Sequence, residues 1–161
     1  MDTQGSELAR GYAEADGGTF PTVVDSDNIL GETFGFKAIP NGVLISPDGK
    51  VDAIVASRFE IRKPETRELV KRWLATSEAP IAEQTDELEW SDDALRLFRE
   101  AGAAVRRGER EEAIRLLKLA YPLEPDNFII RKQLWAIEDP ERFYAGDVDY
   151  AWQRDQLEQG L

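Results

Sequence analysis

The side chains that most often carry catalysis are scarce in this chain. Its 161 residues include no cysteine and no histidine, which excludes thiol chemistry and imidazole acid–base catalysis. Carboxylates are abundant, 32 in all, so adjacent pairs such as Asp92/Asp93 and Glu111/Glu112 arise by chance. No phosphate-binding glycine loop or convergent base accompanies them, and acids are favoured at helix starts. We therefore expect no catalytic residue and no cofactor, and we assign these pairs to helix ends and surface.

A short acidic run invites comparison with a cation site. Asp25, Asp27 and Asn28 could offer oxygen ligands to Ca²⁺. The run lacks the twelve-residue spacing and the terminal glutamate of an EF-hand loop. Turn and helix-capping roles are the better interpretation, and we expect no metal site.

The net charge and the absence of long apolar runs indicate which partners and which location to expect. A formal net charge of −12 repels phosphate backbones and anionic membrane surfaces. No apolar run approaches the roughly 20 residues that span a bilayer, and the N-terminus has neither a basic start nor an apolar signal core. We expect an acidic, cytoplasmic protein that binds neither nucleic acid nor membrane, and the lack of cysteine agrees with a reducing compartment.

The residues that position the first half of the chain form a predicted β-hairpin. Two apolar runs, Val43–Ile45 and Val51–Val55, flank the turn residues Pro47–Gly49. Glycine accepts a positive φ and proline presets its own φ, so this sequence favours a turn between antiparallel strands. Pro40 stands just ahead of the first strand, where its missing N–H group must fall at a strand start or in a special turn.

These residues resemble the second half of a thioredoxin-like redoxin fold, found in thiol-disulfide oxidoreductases and peroxiredoxins of the AhpC/TSA-like type. In that family a Phe-x-Phe/Val-x-x-Ile/Val-Pro segment, here starting at Phe34, carries a cis-proline beside the active-site cysteines. A hairpin containing Asp-Gly-Lys follows it, and the similarity runs from Phe20 to Leu74. The resemblance implies that the bond between Ile39 and Pro40 is cis, although X–Pro bonds are cis only about 5–6% of the time.

The resemblance leaves two functions open. The family's catalytic cysteines would stand on a strand and helix upstream of residue 1, because Met1–Gly5 resembles the exit of the strand that follows them. The chain is then either a non-catalytic scaffold or interaction module, or the C-terminal portion of an oxidoreductase or peroxiredoxin whose cysteine-bearing half is missing. Under either hypothesis we expect no thiol-disulfide or peroxidase turnover from this chain alone.

Helical patterns complete the first unit, which we place at residues 1–77. Apolar residues at helical spacing predict a short helix over Ser6–Ala15, and a second short helix capped by Ser26 or Asp27. Pro64 is well placed at the first position of a third helix. Residues 78–90 are acidic and aperiodic, which predicts a linker.

The second unit, residues 91–161, is predicted to be all-α. Residues 94–127 resemble a tetratricopeptide repeat over its full 34 positions, and further helices are expected near 128–138 and 148–159. Small or apolar residues stand where two antiparallel helices of such a repeat touch: Leu97, Ala101, Ala104, Gly108, Ala113, Ala120 and Pro125.

Two surfaces are candidates for protein binding. The concave face of the repeat would carry a groove lined by Leu95, Phe98, Gly102, Val105 and Arg106. Basic residues around Arg106 suggest a clamp for an acidic peptide, but the mostly apolar lining favours a hydrophobic helix, and a segment of this same chain is preferred over an external ligand. The other candidate is the edge strand Val43–Ile45, which we expect to recruit a protein partner or a second copy of the chain, or else to be covered by residues 19–25; association is the preferred outcome.

Overall fold

The computed structural model describes residues 10, 11, 14, 17, 19, 21–55, 59–76, 89–146 and 148–160. It has the expected mixed architecture, with a small antiparallel sheet in the first half and packed helices in the second. The elements in chain order are α1 Ile29–Thr33, β1 Gly42–Ile45, β2 Val51–Val55, α2 Pro64–Thr76, α3 Asp92–Arg106, α4 Arg110–Ala120, a 3-10 turn Tyr121–Leu123, α5 Phe128–Glu138, α6 Glu141–Tyr144 and α7 Tyr150–Glu158.

The predicted hairpin is formed by β1 and β2, which pair antiparallel. Its turn is closed by the Gly49 N–H, which donates to the Ser46 carbonyl at 2.9 Å, while the Ser46 N–H donates to the Lys50 carbonyl at 2.8 Å. Gly49 has a φ of 84°, so glycine is required at this position. This is the three-residue hairpin connection in which a left-handed residue ends the turn and adds local twist.

Both faces of the hairpin carry packed apolar side chains. The cross-strand partners Val43 and Ile54 are half-buried and pack against the main core, while Leu44 and Ala53 are buried. Side chains alternate between the two faces of a strand, so these pairs lie on opposite sides of the sheet. Helix α2 is tied to β2 by Trp73, whose Nε1–H donates to the Asp52 carboxylate at 2.7 Å.

Helices α3 and α4 form a helical hairpin. The Ser91 hydroxyl accepts a hydrogen bond from the Ala94 N–H at the start of α3. Gly108, with a φ of 77°, lies in the short turn between the helices. Fully buried alanines then allow the two backbones to approach closely, and they are Ala94, Ala101, Ala104, Ala113 and Ala120.

Helix α5 continues the helical core. The Asn127 side-chain oxygen accepts hydrogen bonds from the N–H groups of Ile129 and Ile130, which caps this helix. Ile130 is completely buried in the same core as α3 and α4. The expected terminal helix is also present as α7, whose Trp152 packs edge-on against Trp135 at a centroid distance of 5.6 Å.

Two predicted segments lie wholly or partly outside the described residues. Of the helix predicted over Ser6–Ala15, the described positions Arg10, Gly11 and Glu14 are helical. Of the predicted linker 78–90, the described part is Glu89 and Trp90, and Trp90 is buried in the helical core. Residues 21–25, which precede α1, form no strand and so do not pair with the edge of β1.

Candidate protein-interaction surfaces

The face of α3 predicted as a groove is covered by the chain itself. Residues 25–37, which we call the strap, lie along this face. The guanidinium of Arg106 pairs with the Asp27 carboxylate at 3.0 Å and donates to the Ser26 carbonyl at 3.4 Å. Two turns earlier on α3, Arg99 pairs with Glu32. The strap is therefore held at two points by arginines of one helix face.

The five predicted groove residues do share one face of α3, because their spacing follows the helical repeat. Phe98 and Gly102 are buried, Leu95 and Val105 are half-buried, and Arg106 is exposed. Gly102 lies under the strap, since a Cβ atom at this position would be 3.8 Å from the Ser26 carbonyl oxygen. A segment of the same chain thus occupies part of the groove, and this occupant is a short acidic stretch rather than the hydrophobic helix that the apolar lining favoured.

The C-terminal end of the strap is fixed more deeply. The Trp90 Nε1–H donates to the Phe36 carbonyl at 3.0 Å in a buried setting, and the Trp90 ring packs edge-on against Phe98 at 5.2 Å. The Ile129 N–H donates to the Lys37 carbonyl at 3.2 Å. Phe36 itself belongs to the main core. These contacts join the strap to both α3 and α5.

The N-terminal end of the strap is built differently from the prediction. Neither Ser26 nor Asp27 caps α1; the Asp25 carboxylate accepts hydrogen bonds from the N–H groups of Ile29 and Leu30, each at 2.8 Å. Asn28 begins the helix with a φ of 57°. Its side chain is completely buried, and its carboxamide has no hydrogen-bond partner. Neither Asp27 nor Asn28 is arranged to join a cation site.

Few apolar side chains are exposed in the sheet and just ahead of it. Ile45 and Val51 are cross-strand partners, and their exposed fractions are 48% and 47%. Ile39, in the cis bond to Pro40, is 46% exposed. Leu44, which the sequence placed on the accessible edge, is only 6% exposed. Within the described part of the chain, β1 has β2 as its single strand partner, so its outer edge is unpaired.

A pocket of about 240 Å³ opens at the far end of the helical hairpin. It is lined by Val105, Gly108, Arg110, Ala136, Ile137 and Pro140. The guanidinium of Arg110 already donates to the carbonyls of Ile137 and Glu138, at 3.1 and 2.9 Å, and so closes the end of α5. The pocket is smaller than the roughly 300–1,000 Å³ of most ligand sites, and its one charged group is engaged.

The ionisable groups of the described residues support structural roles. No cluster of three potential metal ligands occurs among them. The Lys50 ammonium, followed by the Ser46 hydroxyl, lowers the pKa of Asp48 at the hairpin turn. A hydrogen bond from the Trp152 N–H, together with Arg142, lowers the pKa of Asp149 at the start of α7. Burial lowers the pKa of Lys132 on α5.

Sequence reasoning missed the residues that hold the strap. Arg99 and Glu32 are 67 positions apart, and nothing in either local pattern indicates the pairing. Packing of Trp90 between helices agrees with its aromatic character, but its hydrogen bond to the Phe36 carbonyl, 54 positions away, is indicated by no local pattern.

Comparisons with known proteins leave the fold family open. No family model, no curated protein and no solved structure matches the chain. In the part of the chain that the structure describes, no helix has both the length and the apolar character needed to cross a bilayer.

Proposed function

We propose that the chain is a non-catalytic protein-interaction module, in which a partial thioredoxin-like unit is joined to a tetratricopeptide-like helical region. The hairpin followed by a helix starting at Pro64 supports the first assignment. The helix–turn–helix of α3 and α4, with small residues at the helix contact and Gly108 in the turn, supports the second.

The observation that carries this proposal is the unpaired, apolar edge of β1. An edge strand presents free N–H and C=O groups that can pair with another strand. Ile45 and its partner Val51 add exposed apolar surface at the turn end of the same hairpin. Strand β1 has the sequence Gly-Val-Leu-Ile, so it carries no Lys or Arg of the kind that discourages pairing along an exposed edge.

The partner we propose for this edge is a second copy of the chain. Two β1 strands can pair antiparallel about a twofold axis, which makes the contact self-complementary and closed. The net charge of −12 on each copy opposes association at low salt. At physiological ionic strength the screening length is about 8 Å, so this repulsion is reduced.

The test is sedimentation at micromolar concentration. We expect a dimer, and we expect Ile45→Lys to convert it to a monomer, because Ile45 is exposed and the new charge would be buried at the interface. Ile61→Lys is the matched control, since Ile61 is 55% exposed but lies outside the sheet. Leu44→Lys is a poor probe because Leu44 is buried and its replacement would disturb the fold.

A monomeric wild-type protein whose β1 amides exchange rapidly with solvent would contradict the proposal. A dimer that survives Ile45→Lys but not Ile61→Lys would place the interface elsewhere.

A further inference from the structure

The pocket at the far end of the helical hairpin has an apolar floor. Ala136 and Ile137, from the last turn of α5, are 3% and 7% exposed, and Val105 near the end of α3 is half-buried. Pro140 extends this surface to the rim. An apolar cavity of about 150 Å³ is large enough to bind benzene. At about 240 Å³, this pocket has room for one small apolar molecule.

The mouth of the pocket is open beside the turn between α3 and α4. Gly108 lines the pocket there, and a Cβ atom at this position would meet no heavy atom within 4 Å. The φ of 77° at Gly108 favours glycine, which has no side chain to close the entrance. A ligand can therefore reach the apolar floor from this side.

One guanidinium group is fixed at the rim. Arg110, at the start of α4, donates from Nε to the Ile137 carbonyl at 3.1 Å and from Nη2 to the Glu138 carbonyl at 2.9 Å. These two bonds use the side of the guanidinium that carries Nε. A guanidinium has five N–H donors in a planar fork, so the end that carries Nη1 and the second hydrogen of Nη2 remains. In the described part of the chain this end of Arg110 has no partner.

The free end of the Arg110 fork is complementary to a carboxylate. Two parallel N–H groups can bind both oxygens of a carboxylate, and such charge-assisted bonds are roughly twice as strong as neutral ones. Because two carbonyls at the end of α5 already hold this guanidinium, little side-chain freedom is lost when a ligand binds.

Two carboxylates of the protein that adjoin pocket residues in the sequence are already paired with other cations. Glu109 contacts Arg107 at 2.6 Å. Glu138 contacts Lys118 at 2.6 Å. Both pairings leave the free end of the Arg110 fork to a ligand.

We propose that this pocket binds a small organic monocarboxylate, with its apolar body against Val105, Ala136 and Ile137 and its carboxylate on the free end of the Arg110 fork. A neutral molecule of the same shape gains only the apolar contacts, and a carboxylate without an apolar body gains only the ion pair. The proposal uses no residue of β1 and does not depend on the dimer proposed above.

The test is an NMR titration of the full-length, isotope-labelled protein with benzoate and with benzamide. The two ligands have nearly the same size and shape, but only benzoate is charged. We expect both to shift the backbone amides of Gly108 and Ile137, and benzoate to bind at least about tenfold more tightly. Acetate, which lacks the ring, should bind more weakly than benzoate. Equal affinities for benzoate and benzamide, or a benzoate titration that leaves both amides unshifted, would overturn the proposal.

Two variants separate the charge from the cavity. Arg110→Gln removes the guanidinium and should reduce benzoate binding to the level of benzamide. Ala136→Leu fills the pocket and should abolish the binding of both ligands. Arg115→Gln is the matched control, because Arg115 lies on the same helix and pairs with Glu112 instead of lining the pocket.

The control should bind benzoate as the wild type does. Unchanged benzoate binding by Arg110→Gln, or an equal loss in Arg110→Gln and Arg115→Gln, would overturn the proposal. Circular dichroism shows whether each variant keeps its helices. If Arg110→Gln or Ala136→Leu does not fold, the ratio of benzoate to benzamide affinity on the wild type decides the question.

Discussion

Trp90 offers the sharpest test of how the two halves of the chain are joined. It precedes α3, yet its Nε1–H donates to the Phe36 carbonyl at 3.0 Å, and only 9% of the residue is exposed. Trp90→Phe keeps an aromatic ring against Phe98 but removes the donor. The substitution therefore isolates the hydrogen bond between the first half of the chain and the start of the helical region.

The expected size of the effect follows from the burial of this bond. Leaving a buried carbonyl without its donor costs about 1–3 kcal/mol of unfolding free energy. For a chain of this length, each kcal/mol corresponds to roughly 2–4 °C in melting temperature, so Trp90→Phe should lower it by about 2–12 °C. Trp90→Ala also removes the ring, and large-to-small substitutions of this kind cost about 3–5 kcal/mol.

Urea denaturation followed by far-ultraviolet circular dichroism measures the loss, because helix content does not depend on the tryptophan signal. Trp73→Phe is the matched control. It removes an Nε1–H bond to the Asp52 carboxylate, but both residues are half-buried, so water can replace the donor. We expect the smaller loss there. A Trp90→Phe variant with an unchanged urea midpoint, or one less affected than Trp73→Phe, would refute the assigned role of Trp90.

Two further predictions concern the helical region. Ala113 is fully buried where α3 and α4 meet, so Ala113→Leu should overpack that contact and lower the free energy of unfolding by about 1–3 kcal/mol. The same change at exposed Ala75 should leave the melting temperature nearly unchanged. Equal melting temperatures for the two variants would contradict the tight helix contact. The pKa of Asp149 is lowered in the folded state, so its stabilising contribution is present above the ordinary pKa of 3.8 and is lost as the pH falls through and below that value. Asp149→Asn should therefore show less acid destabilisation of α7 than the wild type. Identical acid titrations of the two proteins, followed by circular dichroism, would count against this cap.

Local chemistry explains why some elements could be predicted from the sequence. The β-hairpin is encoded by Pro47–Gly49, because the turn requires a positive φ that Gly49 supplies. The start of α3 is encoded by Ser91, whose hydroxyl reaches the Ala94 N–H. The helical hairpin follows from the spacing of small residues, which can be read within 34 positions.

The strap could not be predicted, because its contacts join residues that are far apart in the chain. Arg106 donates to Ser26 across 80 positions, and Trp90 donates to Phe36 across 54. Local periodicity contains no information about such pairings. The cap of α1 was also misplaced, because Asp25 reaches forward four and five residues to the N–H groups of Ile29 and Leu30 while Asn28 turns inward.

The predicted linker at residues 78–90 does not divide the hydrophobic core into two. That boundary separates two compositions in sequence, but Phe36 shares a core with Trp90 and Leu97 on its far side. Val43 and Ile54 of the sheet pack against the same core. Apolar burial is the main stabilising term in folding, so a core shared across the boundary couples the unfolding of its contributors. In the strap itself, Phe34 and Phe36 pack on this core, and the Lys37 carbonyl accepts a hydrogen bond from the first turn of α5. The strap therefore joins the two halves of the chain, through apolar packing at Phe34 and Phe36 and through ion pairs from Asp27 and Glu32 to α3.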